Sequence, residues 1–408
     1  MKTKLKNYFE TNNEKISAYT IQILSEMVSK KTVNVPKANL SEHPYLTIPG
    51  GESAVVEIVK RELDKLDIKY QIYESVKGRA NLVASFGDEE PSLLVASHMD
   101  VVPAGDGWTS DPFTAYVKDG FIYGRGVLDD KGPLASTLAC LKAFKECGVK
   151  LKGKFVLAAI ANEEYREPGE EDPGLGYLLD HKILTPTYAI IPDVGHNMKK
   201  IDIAEKGRLG VKVTAIGKQA HGSTPERGVN AISLMSEFIV KLKKFKMKFK
   251  AHKYLKAPSL NIGIIKGGQA SNIVAGQCDI SLDIRYLPGQ SAAGIIKELK
   301  KLTKGIKGKF EFKEENCSIP HEVEPDNLLV KLIQANAKNI LGQTPKPFGM
   351  GGGTFAKGFN HAGIQAVGYG PGDDTAFHVA NEYVEVKQLV QFAHLIGAIA
   401  IDLLKTKV

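Results

Sequence analysis

The sequence predicts an α/β protein on a mixed, largely parallel sheet, with a smaller α+β domain inserted over residues 204–318. Three observations predict it. Runs of strand formers alternate with amphipathic helical stretches up to residue 203. From about residue 204 the alternation gives way to polar/apolar strands with two helices, and after residue 318 the α/β pattern resumes. At 408 residues the chain is also too long for one ordinary core. Residues 1–203 with 319–408 are therefore read as one domain and 204–318 as another.

Taken in order, residues 15–30 and 52–66 read as helices; the second has an apolar face of Val55, Val56, Ile58, Val59, Leu63 and Leu66. Strands follow at 69–73, 80–86 and 92–102. A helix from Pro133 to about Cys147 is closed by Gly148, and the strand KFVLAAIANEE leads into the turn-rich YREPGEEDPGLG. The helix YLLDHKIL and the strand TYAIIPD complete the first part. The insert reads as a strand from KGRLGVKVTAIG, a helix NAISLMSEFIVKLKKF, strands LNIGIIKGG and CDISLDIRYLP, a helix over 291–303 and a strand KFEFKEE. A helix over 327–341, a strand IQAVGYG and the helix VKQLVQFAHLIGAIAIDLL end the chain.

The chemistry concentrates in SHMDVVPAGDGWTSDPF and GFIYGRGVLDDKGP, residues 97–113 and 120–133. His98 and Asp100 share one face of an extended chain, so the aspartate can orient an imidazole whose other nitrogen binds a metal. A structural histidine leaves the same pair; the ordered sequence His-x-Asp, then G-R-G-x-x-D-x-K-G, is more specific. Asp129 and Asp130 precede the helix beginning near Lys131, at the positive end of its dipole. His98, Asp100, the pair Glu163-Glu164 and Asp193 all fall at carboxyl ends of predicted strands, where α/β sheets gather their ligands. One carboxylate of the glutamate pair can ligate while the other serves as base. His378 lies far along the chain, as expected of a site built from several strand ends. His221 sits between strand and helix of the insert, as either a turn residue or a group that reaches substrate. His196, three residues past Asp193, is read as structural, as are the other histidines.

Composition narrows the class. With 43% hydrophobic and 25% charged residues the chain is globular, and no apolar run is read as long enough to span a bilayer. The polar N-terminus lacks the apolar segment of a signal peptide, so a cytoplasmic location is expected. The four cysteines show neither C-x-x-C nor framework spacing, which disfavours a thiolate zinc site or a disulfide scaffold. The net charge of +8 comes from dispersed lysines, so neither nucleic acid nor membrane is expected as a partner. The glycine-rich GMGGGTFAKG lacks G-K-[ST] and follows no clear strand, which argues against a phosphate loop; its backbone around Gly352, Gly353 and Thr354 is a candidate nest for a substrate carboxylate.

Together the motifs resemble those of the zinc-dependent peptidases and deacylases that include acetylornithine deacetylase, succinyl-diaminopimelate desuccinylase, carboxypeptidase G and the cytosolic dipeptidases. The resemblance runs from about residue 50 to 405 through SHMDVVP, GRGVLDDKG, ANEE, PD, GKQAHGSTPERGVNA, GGQASNIV, LDIRYLPG, GGGTFAK and YGPGDDTAFHVANEY. It implies a zinc-peptidase-like catalytic domain with two zinc ions, cobalt or manganese being alternatives, bridged by Asp129 and a water. His98 and Asp193 would hold one ion, Glu164 and His378 the other. Asp100 would orient His98, and Glu163 would be the general base. The insert would be a lid or dimerisation domain of a homodimer. It would carry His221 as oxyanion stabiliser, in its own site or the partner's, with Asn272 and Arg285 gripping a substrate carboxylate. The implied activity is hydrolysis of a small amide with a free carboxylate, either a dipeptide or an N-acyl amino acid. Asp193, where deacylases often have glutamate, leans to the peptidase branch; the closing motif leans to the deacylases. A catalytically inactive binding protein of the same fold is the alternative, disfavoured because all the ligands and the base are present.

Overall fold

The computed structural model describes residues 1–167 and 169–405. They form two compact units: Met1–Ile203 with Val323–Phe348 and Thr354 onward, and Ala204–Glu322 with Gly349–Gly353.

In the first unit the central strands run in the order Lys69–Tyr73, Asn81–Phe86, Gly153–Ile160, Glu89–His98, Tyr188–Ile191, Gln365–Gly368 and Lys200–Glu205. The four strands from Gly153–Ile160 to Gln365–Gly368 are mutually parallel, and their neighbours on both sides are antiparallel. This is the predicted mixed, largely parallel sheet. Strands covered on both faces read as continuous apolar runs rather than alternations. Accordingly Ser92–His98 and Phe155–Ile160 are buried at every position. The helix Lys131–Glu146 packs with the final helix, and its first turn is buried too. Gly132 is required there, because a Cβ would lie 2.0 Å from the Val127 carbonyl oxygen.

The second unit is an antiparallel sheet in the order Ser259–Gly267, Gln277–Tyr286, Gly207–Ile216, Lys309–Ser318. The helices Ala231–Lys244 and Ala292–Lys301 supply Met235, Phe238 and Leu299 to a core with Val211, Val213, Ile280 and Ile284. Both helices begin where a side chain accepts first-turn N–H groups, Asn230 from Ile232 and Ser233, and Ser291 from Gly294.

Several expectations need correction. A helix Lys2–Thr11 precedes Asn13–Val28; it buries only Leu5 and Phe9, too sparse an apolar stripe to read. The strand expected over 92–102 is Glu89–His98, so Asp100 lies beyond its end. Strands Lys200–Glu205 and Lys346–Met350 were not foreseen, and the latter leads directly into the glycine-rich stretch. Finally, Val386–Leu404 is long and apolar enough by length and composition to cross a membrane, contrary to the sequence reading. In this fold 78% of that window is buried within the protein.

Candidate active site

The parallel strands Gly153–Ile160, Glu89–His98 and Tyr188–Ile191 lie side by side, so their carboxyl ends deliver Glu163-Glu164, His98 and Asp193 to one edge of the sheet. Asp129 arrives from the loop before the helix Lys131–Glu146, its peptide to Asp130 being cis. Ligand atoms of His98, Asp129 and Asp193 lie within 4.8 Å of one another, as do those of Asp129, Glu164 and His378. Asp129 belongs to both groups, one oxygen to each. His98 Nε2 is 2.8 Å from its Oδ1, and His378 Nε2 is 3.0 Å from Oδ2 and 3.2 Å from Glu164 Oε2. His378 adopts φ +60°, a left-handed conformation that is uncommon for residues other than glycine.

Electrostatics set the character of this cluster. Burial pushes Glu163 well above the ordinary carboxylate range, and the charges of Glu164, Asp100 and Asp129 add to it against the pull of His98. Burial, then Asp129, raises Glu164 to about 7. Asp193 and Asp130 are raised as well, by burial first. Asp129 alone among these is driven down: burial opposes it, but hydrogen bonds from His378 and His98 prevail. The bond to Asp129, then that to Glu164, lifts His378 to about 10. Glu164 Oε1 and Asp130 Oδ1 are buried without a hydrogen-bond partner. Buried acids in excess of their cationic partners, with an orphaned carboxylate oxygen among them, fit a site for divalent cations. The donor set is imidazole and carboxylate with no thiolate, which suits zinc, cobalt or manganese.

Residues 94–402 match the family model Peptidase family M20/M25/M40. The chain belongs to this family. It is an enzyme that hydrolyses amide bonds. An uncharacterised metallohydrolase of Methanocaldococcus jannaschii is 30% identical over 382 residues, covering 85% of this chain and 92% of that protein. An acetylornithine deacetylase of Salmonella arizonae is 33% identical over 279 residues, 66% of this chain and 70% of the relative. Among solved structures, an aminopeptidase from Bacillus cereus shares the fold with a TM-score of 0.75 at 22% identity, over 95% of this chain and 99% of that one. A dipeptidase from Saccharomyces cerevisiae does so with a TM-score of 0.72 at 15% identity, over 98% of each chain.

The expected role of Asp100 in this M20-family chain needs refining. His98 Nδ1 lies 2.9 Å from the carbonyl oxygen of Asp100, whereas the carboxylate is 3.6 Å away. That carboxylate instead accepts the backbone N–H groups of Glu163 and Glu164, each at 3.0 Å, and the Asn34 amide at 2.8 Å. Burial would raise Asp100, but the neighbouring His98 and the Glu163 N–H hold it at about 2. Asp100 therefore pins the glutamate pair as well as touching His98.

Of the remaining candidates, His221, Asn272, Arg285, Gly352 and Gly353 belong to the second unit and Thr354 to the first. His221 Nδ1 lies 2.7 Å from the Ser223 hydroxyl and 3.2 Å from the Ser223 N–H, so its own turn engages Nδ1 rather than Nε2. The Asn272 backbone pairs with Gly222, placing it beside His221. Arg285 spends Nε and Nη2 on Asp283, at 2.7 and 3.3 Å, while Nη1 faces the Gly351 carbonyl at 3.5 Å. Thr354 caps the helix Phe355–His361 by accepting from Ala356, a structural duty that its place in a glycine-rich run did not announce. His196 pairs with Asp374 at 3.0 Å, outside both ligand groups.

Sequence reasoning missed the layer behind the ligands. Asn34 donates to Asp100, Asn162 and the Tyr165 carbonyl. Arg79 donates to Asn162 and pairs with buried Glu52, which accepts the Asn162 N–H. Asn162, at φ +67°, is thereby held in the turn that aims Glu163 and Glu164. Asp130 accepts the His98 backbone N–H at 3.2 Å. Only Asp130 and Asn162 lay within motifs already singled out.

Proposed function

We propose that the protein hydrolyses small amides bearing a free α-carboxylate, dipeptides or N-acyl amino acids, using two divalent metal ions, zinc foremost. The observation that carries this is the division of Asp129, whose two oxygens face histidines from different ligand groups. His98 and Asp193 would hold one ion, Glu164 and His378 the other, and Asp129 both. When bound, such ions polarise an amide carbonyl and lower the pKa of a water. Glu163, as general base, takes the proton of the attacking water and passes it to the leaving nitrogen. His221 Nε2–H meets the oxyanion of the tetrahedral intermediate. Arg285, through the Nη edge that Asp283 leaves open, and Asn272 with the backbone of Gly352 and Gly353, receive the carboxylate.

Residues 204–318 would act as the lid and dimerisation domain. In support, the edge strand Ser259–Gly267 exposes Ile264 and Ile265 at 53% and 57%, and the helix Ala231–Lys244 exposes Ile232 and Val240. An unpaired apolar edge of this kind invites a second copy. All four cysteines are free thiols, which fits a cytoplasmic setting.

The test is turnover of a panel of dipeptides and N-acyl amino acids before and after chelation. Chelation should abolish activity, and zinc, cobalt or manganese should restore it. Amidating the best substrate's carboxylate should lower kcat/KM at least about tenfold, the equivalent of one charge-assisted contact of roughly 1.5 kcal/mol. Full turnover by metal-free protein would overturn the metal reading, and equal rates for acid and amide would overturn the carboxylate site.

A further inference from the structure

We propose that Glu382, with Arg125 as its partner, is a positioning residue that fixes both halves of the metal site at once. The inference rests on the reading of Asp129 and His378 as metal ligands.

Both side chains are buried, at 0% and 1% exposure, and neither belongs to the ligand groups. Glu382 Oε1 accepts three backbone N–H groups: Gly126 at 3.0 Å, Leu128 at 2.9 Å and Asp129 itself at 3.2 Å. Its Oε2 accepts from Arg125 Nη1 at 2.7 Å. One carboxylate thus gathers the N–H groups of the loop that delivers the shared ligand. Gly126 suits that loop because it takes φ +87°, and a Cβ there would lie 2.7 Å from Val101 Cγ1.

The same residue also anchors the chain just after His378. Glu382 stands four positions after His378, at the mouth of the strand Tyr383–Glu385, which pairs with Phe121–Tyr123. Its carbonyl accepts the Gly124 N–H at 3.0 Å. Next to it, Asn381 accepts from the backbone and hydroxyl of Thr109 and donates to the Gly107 carbonyl. The segment that follows His378 is therefore fastened to the stretches 107–109 and 121–124. Arg125 Nη2 extends the clamp to the carbonyls of Pro103 and Ala104, at 3.3 and 3.1 Å, just beyond His98 and Asp100. Three stretches that carry ligand candidates meet at one buried ion pair. A pair serving stability alone would not need to converge on the Asp129 N–H.

Glutamine cannot replace Glu382 in either orientation. Its amide would face either Arg125 or the three converging N–H groups, donor against donor. Aspartate keeps the charge but lacks the reach to span both sets.

The experiment uses the full chain, with zinc and cobalt(II) titrated against a chromophoric chelator and folding monitored by circular dichroism. Folded Glu382→Gln should bind both ions about 10–100-fold more weakly than wild type, as loss of a group that orients metal ligands does. Its cobalt(II) absorption bands should shift, and kcat should fall more than KM rises. If Glu382→Gln fails to fold, Arg125→Lys, which keeps a cation but loses the fork to Pro103 and Ala104, should weaken both ions in the same sense. A folded variant with affinities within about twofold of wild type and an unchanged cobalt spectrum would overturn the proposal, whatever its melting temperature. Wild type taking up fewer than two ions would instead defeat the underlying metal reading.

Discussion

Replacing Asp100 by alanine tests how the glutamate pair is held. Its carboxylate accepts from Glu163 N, Glu164 N and Asn34 Nδ2 in a fully buried setting. Asn34 keeps acceptors in Asn162 and Tyr165, so the substitution strands chiefly the two backbone donors. At about 1–3 kcal/mol for each buried donor left unpaired, stability should fall by roughly 2–6 kcal/mol, a large share of the roughly 5–15 kcal/mol that holds a typical domain folded. Removing one charge from the acidic cluster offsets part of this loss while no cation is bound. Destabilisation should therefore be greater with zinc present than without it. Metal affinity should weaken about 10–100-fold, because the segment bearing Glu164 is released. Urea denaturation with and without zinc, with a competition titration of the ion, measures all three. Asp100→Asn, which returns one acceptor but turns a donor toward one of the N–H groups, should fall between wild type and alanine. An alanine variant within about 0.5 kcal/mol of wild type, with unchanged affinity, would refute the reasoning, since that is the range of surface substitutions without partners.

Three further outcomes are expected. Glu163→Ala should retain both metals and lower kcat at least about 10²-fold, whereas Glu164→Ala should lose metal; exchanged phenotypes would reverse the division of the pair. Mixing His221→Ala subunits with Glu163→Ala subunits should restore part of the activity if the histidine is donated across a dimer; a fully active monomer would exclude that exchange. His394, stacked on Phe9 at 4.9 Å, is lowered from 6.5 to about 4 by burial. A group depressed on folding contributes fully above its unfolded pKa and loses that contribution as pH falls through the folded one. About 3 kcal/mol should therefore vanish between pH 6.5 and 4, at 1.36 kcal/mol per unit. His394→Phe should flatten that part of the stability–pH curve, and parallel curves for the two proteins would count against it.

The parallel sheet was readable because SLLVAS, VLAAIA and YAII are continuous apolar runs that end in polar residues. That pattern places candidate ligands at strand ends without knowledge of tertiary contacts. The final helix was readable as a helix, but hydropathy alone cannot distinguish a core helix from a membrane span. The layer behind the ligands was not readable. Asn34 meets Asp100 across 66 positions and Arg79 meets Asn162 across 83, with no local spacing to connect them. The left-handed conformations of Asn162 and His378 are ones these residue types tolerate, but nothing in the local sequence singles out these two positions for them. The refinement at Asp100 has the same origin: strand spacing indicates which residues are neighbours, not whether a carbonyl or a carboxylate receives the imidazole proton.

Anomalous diffraction from zinc-loaded crystals tests the central claim most directly. Two zinc peaks should flank Asp129, one also contacted by His98 and Asp193, the other by Glu164 and His378. A single peak, or peaks that do not share Asp129, would contradict the two-metal account.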